Sequence, residues 1–177
     1  MKNSVEALLE NDHGLLAQLL AELDAELATP NMARAFELLD LFWARLAVHI
    51  RAENLHLFPA LANASDSLFT GKGGLPASEE AHDLLLRLRS DHDFFMKELG
   101  LIMKAAREIR VGHNEVVKEA KDLRLRLTVI RKRLETHNHL EEEKAYVWPS
   151  FLFDETRITH LCDQLRHELE NLPPRFG

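Results

Sequence analysis

The sequence predicts an all-α protein, an up-down four-helix bundle with an additional C-terminal helix. The chain of 177 residues has only 7 Gly and 6 Pro beside abundant Leu and Ala, which favours helix over strand. Apolar residues recur every three or four positions in several long segments, which is the spacing of one helix face. The sequence contains no run of alternating β-branched residues. Four long amphipathic helices bury their apolar stripes most simply in a bundle.

Start and stop signals divide the chain into five predicted helices. Thr29 and Pro30 end the first helix and begin the second, because Thr caps helices and Pro is tolerated at the first helical position. Pro59 is expected to kink or end the second helix. Residues 64–77 form the longest loop signal, after which Ser78 begins the third helix. The predicted helices cover about residues 3–27, 30–61, 78–110, 115–148 and 154–172. Residues 1–152 are predicted to form the bundle with a two-metal site, and residues 153–177 a helix that packs on it or forms an interface, for example in a homodimer.

Composition argues against several classes of protein. A net charge of −7 argues against nucleic-acid binding, which needs a basic surface. No apolar run reaches the roughly 18 residues of a membrane span. The first ten residues carry acidic groups where a signal peptide would be apolar, and Cys162 is the one cysteine. We therefore expect a cytoplasmic protein without a disulfide framework.

Two segments repeat one pattern of functional side chains. His49 is followed four residues later by Glu53, and His139 is followed four residues later by Glu143, each pair lying upstream of an aromatic residue and a Pro. Residues four apart share a helix face. Asp-His pairs that end in His13 and His92 precede these segments in apolar surroundings. The sequence therefore predicts one metal site from all four helices, with the ligands His13, His49, Glu53, His92, His139 and Glu143.

The two glutamates are the strongest reason to expect metal ions. A buried, unpaired carboxylate costs several kcal/mol, and no Lys or Arg lies on the same stripe of the second helix. Imidazole and carboxylate ligands without thiolate suit iron or manganese, whereas structural zinc prefers four ligands that include cysteine. Six ligands for two ions leave positions for a small exogenous ligand.

The fourth helix offers a second register for this site. His137 and Glu141 have the same spacing, and the upstream stripe of Leu127, Ile130 and Leu134 leads in phase to His137. The downstream frame, in which Trp148 and Pro149 follow, matches the second helix only through His139, so His139 and Glu143 are preferred. A π-bulge between Leu134 and His139 is the hypothesis that reconciles the two phases.

The ordered motif resembles the hemerythrin-like HHE cation-binding domain over about residues 5–152. The resemblance implies a four-helix bundle and an oxygen-bridged pair of iron ions, with manganese or zinc as substitutes and with Glu53 and Glu143 as bridging ligands. It also implies a role with oxygen, nitric oxide, peroxide or iron, and the function we expect is binding or sensing of a small ligand such as oxygen or nitric oxide. The alternatives are a di-iron enzyme that acts on peroxide or ferrous iron, and a protein that supplies iron for cluster repair.

Residues beside the six ligands have less distinctive patterns. His56 and Tyr146 each lie seven residues after a predicted ligand, and either a role beside the metals or a boundary position is open for both. Asp12 and Asp91 lie about 100° from the ligand face, so we expect them to be solvated.

Overall fold

The computed structural model describes residues 4–64, 68–108 and 113–176, and of residues 113–115 it describes only the backbone. Within these ranges, four long helices form the bundle, and the predicted all-α class is confirmed. The long helices are α1 (Val5–Ala28), α2 (Met32–Ala52), α4 (Ser78–Arg107) and α5 (His113–Leu140). Shorter helices are α3 (Phe58–Ala62) and α6 (Pro149–Leu152), and α7 (Glu155–Leu169) follows near the C-terminus.

Polar side chains begin three of the helices. Ser4 accepts a hydrogen bond from the Ala7 amide, and Asp154 accepts one from the Arg157 amide. Asn31 rather than Thr29 caps α2, so this helix begins two residues later than expected. Each cap satisfies an amide that the first helical turn leaves without a partner. The predicted start at Asn3, part of the 64–77 loop and the break after α4 lie outside the described residues.

Two short π-helical segments interrupt the helices that carry the paired motifs. The segment π1 (Glu53–Leu57) joins α2 to α3, and π2 (Glu141–Ala145) follows α5. In π1 the Phe58 amide donates to the Glu53 carbonyl, and in π2 the Tyr146 amide donates to the Glu141 carbonyl at 2.9 Å. Pro59 lies in the first turn of α3, where its missing N–H is tolerated. The predicted second helix therefore continues from α2 through π1 and α3 to Ala62.

The hydrophobic core has two parts with a polar layer between them. One part contains Leu9 and Leu88, and the other contains Leu16 and Phe95. His13 and His92 lie between these residues in the sequence of α1 and α4. The polar layer is therefore enclosed by apolar side chains on both sides along the bundle axis.

The C-terminal helix α7 packs on the bundle. Its buried residues join the core around π1, and its neighbours are α1, α2 and π1. The buried side chains of α7 are Leu161, Cys162, Leu165 and Leu169. Burial of this stripe explains why the helix carries its own apolar period.

Shortening Leu165 to alanine is expected to destabilise the protein. Leu165 is 0% exposed, so its loss leaves a cavity that lowers the free energy of unfolding by about 2–5 kcal/mol. Urea unfolding measures the change, with Leu125→Ala as the control because Leu125 is 59% exposed. Equal stabilities of the two variants would contradict the packing of α7 on the bundle.

Among the described residues, no helix combines the length and the apolarity that crossing a bilayer requires.

Candidate metal centre

Four histidines and two glutamates meet in the polar layer of the bundle. Every one of these side chains is buried, and together they come from all four long helices and both π segments. The six residues are His13, His49, Glu53, His92, His137 and Glu141. Two groups with metal-ligand spacing share Glu141. One group adds His13 and His49, and the other adds His92 and His137.

The histidines form two close pairs. The Nε2 atoms of His13 and His49 are 3.1 Å apart, and those of His92 and His137 are also 3.1 Å apart. Two imidazole lone pairs repel at this distance unless a proton or a cation lies between or beside them. Both pairs therefore present nitrogen atoms in the arrangement that a cation would relieve.

The glutamates connect the two pairs. Glu141 places Oε1 at 3.0 Å from Nε2 of His137 and Oε2 at 3.4 Å from Nε2 of His13. Glu53 places Oε2 at 3.2 Å from Nε2 of His92 and 3.5 Å from Nε2 of His49. Each carboxylate thus reaches both pairs, as a bridging ligand requires.

Two buried carboxylate oxygens of the site form no hydrogen bond within the described part of the chain. Among the described residues, neither Oε2 of Glu53 nor Oε1 of Glu141 has a hydrogen-bond partner, and both atoms are buried. Buried polar atoms are nearly always satisfied in proteins. Buried carboxylate oxygens that face imidazole nitrogens without a hydrogen bond between them fit metal ions, so the residues present suit cations.

Carboxylates orient both imidazoles of the first pair. Nδ1 of His49 lies 2.9 Å from Asp12 Oδ2, and Nδ1 of His13 lies 2.7 Å from Glu142 Oε1. Asp12 in turn accepts a hydrogen bond from Arg45 at 3.0 Å. A partner on Nδ1 leaves Nε2 as the inward-facing nitrogen of each ring.

The second pair repeats this arrangement at longer distances. Nδ1 of His137 lies 3.4 Å from Asp91 Oδ2, and Nδ1 of His92 lies 3.4 Å from Asn54 Oδ1. Arg133 donates to Asp91 at 2.6 and 2.9 Å. The two halves of the site therefore have the same plan of ligand, orienting carboxylate and arginine.

Comparison with known families agrees with this geometry. The family model described as the hemerythrin HHE cation-binding domain matches residues 4–148. The chain belongs to the hemerythrin HHE cation-binding domain family. No curated protein and no solved structure matches the chain significantly. Membership confirms the resemblance inferred from the motif order and indicates a cation-binding protein, with which the buried His and Glu groups are compatible.

In the fourth helix, the buried His-x-x-x-Glu pair is His137 and Glu141. The prediction that His139 and Glu143 face the interior is wrong, because these side chains are 67% and 56% exposed and contact each other at 3.2 Å. The interior positions belong to His137 and Glu141. The α-helix continues in phase through Leu134, so His137 completes the buried stripe.

The hypothesis of a π-bulge between Leu134 and His139 is wrong, because α5 stays α-helical to Leu140. The π-helical segment of this region, π2, begins only at Glu141, beyond both histidines. Turns at residues 146–148 then separate π2 from Pro149. The prolines after the two HHE motifs are therefore not equivalent, and a register chosen from them is displaced by two residues.

The HHE repeat has better markers than its prolines. Arg45 and Arg133 each lie four residues before a buried histidine of the site. Phe58 and Tyr146 each lie five residues after a buried glutamate. Aligning the arginines and the aromatic residues selects His137 and Glu141 from the sequence.

Three of the four residues predicted beside the ligands contact the site, and the fourth lies outside it. Asp12 and Asp91 are buried and orient histidines, so the expectation that they are solvated is wrong. Tyr146 lies inside the centre, where its hydroxyl donates to Glu53 Oε1 at 2.6 Å. His56 lies outside it, with Nε2 at 3.8 Å from Glu168.

Electrostatics favour protonated imidazoles when cations are lacking. Burial lowers the pKa of His13 and His92, but the carboxylates of Glu141 and Glu53 outweigh it and raise each pKa to about 9. Burial raises the pKa of Glu141, but His137, His13 and His92 bring it well below its usual value. Protons and metal ions therefore compete for the same nitrogen atoms.

Proposed function

We propose that this protein is a non-haem di-iron protein that binds or senses a small ligand such as oxygen or nitric oxide. The observation that carries the proposal is the pair of His-His-Glu groups that share Glu141. Two groups of nitrogen and oxygen ligands joined by one carboxylate favour two neighbouring ions over one.

The ligand chemistry supports iron. The six buried side chains offer imidazole and carboxylate without thiolate, a set that suits iron and that manganese or zinc can also occupy. When bound, iron would supply redox chemistry and open positions for a small ligand. Six protein ligands for two ions leave such positions free.

Burial of the centre supports a small ligand. Each of the six side chains is at most 5% exposed. A diatomic molecule or a peroxide can reach such a site through small fluctuations of the bundle, whereas a larger substrate would have to displace core side chains. The chain itself orients the imidazoles through Asp12 and Asp91 and excludes bulk water with the apolar layers on both sides.

Metal analysis joined to optical spectra tests this function. We expect about two irons per chain, and a reversible absorption change when the anaerobic ferrous protein meets oxygen or nitric oxide. A chain that takes up no iron, or that unfolds on chelation without any optical response, would contradict the proposal. The second result would instead favour a purely structural role for the metal.

Tyr146 favours a second candidate function, an enzyme that acts on peroxide. Its hydroxyl lies 2.9 Å from Nε2 of His13 and 3.2 Å from Oε2 of Glu141. Burial raises the pKa of this phenol well above its usual value, and Glu141 and Glu53 raise it further. The hydroxyl therefore stays protonated at neutral pH and is placed to donate a hydrogen bond to a peroxide oxygen.

Tyr146→Phe distinguishes the enzyme from the sensor. If the protein turns over peroxide, the variant is expected to lose about 100-fold in rate with its iron content unchanged, since positioned hydrogen-bond donors contribute about this much. Oxygen evolution and metal analysis measure the two quantities. Equal peroxide turnover in the variant and the parent protein would remove the support that Tyr146 gives to the enzyme.

A further inference from the structure

The two halves of the centre share one plan but differ in charge at one pair of equivalent positions. The residue directly after each buried glutamate reaches Nδ1 of a histidine on another helix. In the first half this residue is Glu142, which contacts His13. In the second half it is Asn54, which contacts His92. An anion thus orients one histidine where a neutral amide orients its counterpart.

The contacts to Nδ1 of the histidines are also shorter in the first half than in the second. The carboxylate contact to His13 is 2.7 Å, whereas the amide contact to His92 is 3.4 Å. The orienting aspartates follow the same trend, at 2.9 Å on His49 and 3.4 Å on His137. Each aspartate has its own arginine, so that partner is common to both halves. Glu142 and Asn54 are therefore the main charge difference among the orienting groups.

A carboxylate on the outer nitrogen of an imidazole makes the inner nitrogen a stronger donor. It pulls the N–H proton outward, raises the electron density at Nε2 and holds the ring in place. An amide oxygen does this more weakly, because it carries no net charge. The nitrogens of His13 and His49 are accordingly the better donors for a divalent cation.

We propose that the two metal positions are inequivalent, and that the position held by His13 and His49 has the higher affinity and fills first. Glu142 and Asn54 are the positioning residues that set the difference. This inference rests on the proposed two-metal function and adds the order in which the ions bind.

A zinc titration tests the order of binding. Zn²⁺ is redox-inert, so its stepwise dissociation constants from the apoprotein, measured against a competing chelator, report affinity alone. Glu142→Gln is expected to weaken the first step by about 10- to 100-fold and leave the second nearly unchanged. Asn54→Asp is expected to tighten the second step by about 10-fold. Glu143→Gln is the matched control, because this neighbouring carboxylate faces solvent.

Two ligand variants identify the position that each step fills. His92→Gln is expected to remove the second step and retain the first, whereas His13→Gln is expected to remove the first. Helical circular dichroism of each apoprotein checks that the variants fold.

The outcomes separate this inference from the function on which it rests. Two resolved steps in the parent protein do not decide the matter alone, because a first ion repels a second even in a symmetric site. If Glu142→Gln changes both steps equally or neither, the order of binding is wrong while the two-metal function stands. If the parent chain binds fewer than two ions, both are wrong.

Discussion

Replacing Glu141 with glutamine is expected to abolish the two-metal centre. Glu141 belongs to both His-His-Glu groups, and its two oxygens reach His137 and His13 on opposite sides. Glutamine keeps the shape but removes the negative charge that two cations share. We expect metal affinity to fall by more than about 100-fold, since even outer partners of ligands contribute about 10- to 100-fold. Iron content per chain measures the loss.

The chain provides a matched control two residues away. Glu143→Gln makes the same chemical change in the same segment, π2, but on the side that faces solvent, where the carboxylate is 56% exposed. This variant is expected to retain its full metal content. The reverse result, with metal lost in Glu143→Gln and kept in Glu141→Gln, would restore the register that the downstream proline suggests. His137→Gln and His139→Gln form a second pair with the same expected contrast.

The stability of the metal-free protein is expected to fall as the pH rises from about 6.5 to 9. The folded-state pKa values of His13 and His92 lie near 9, above the ordinary value of 6.5. A raised pKa stabilises the fold fully below the unfolded pKa, and this contribution disappears as the pH rises through the folded pKa. The shift corresponds to about 3 kcal/mol for one histidine. Because the same contacts with Glu141 produce both shifts, the two contributions overlap.

Acid acts on the metal-free protein in the opposite direction through Glu141. Its folded pKa lies well below the usual 4.5, so its contribution is present above pH 4.5 and is lost as the pH falls through the folded pKa. The metal-free fold is therefore expected to be most stable between about pH 4.5 and 6.5. In the metal-loaded protein, cations replace the protons and alkaline pH no longer weakens the site.

Urea unfolding at pH 6 and pH 9 measures this effect in chelator and in excess metal. His92→Gln removes one of the two raised pKa values and is expected to flatten the pH dependence of the metal-free protein. His139→Gln, at an exposed position, is expected to leave it unchanged. Stability of the metal-free parent that rises from pH 6 to pH 9 would contradict the assignment of these imidazolium groups.

Much of the fold follows from local pattern. The apolar stripes predict the helices because a helix face is fixed by spacing alone, and Ser78 begins the third helix as predicted. His13, His49, Glu53 and His92 also follow from their stripes. In the fourth helix the spacing alone does not identify the ligands, because two His-x-x-x-Glu pairs overlap there. The distance to the downstream proline favours His139 and Glu143, but turns at residues 146–148 change that distance.

The helical class, the ligand chemistry and the family follow from the chain alone, because composition, spacing and motif order are properties of the sequence. Which register of the fourth helix is buried depends instead on tertiary contacts. Tertiary contacts also bring Asp12 and Asp91 to the histidines and Tyr146 to Glu53. These outcomes depend on contacts between residues that are distant in sequence, which the spacing within one helix does not specify.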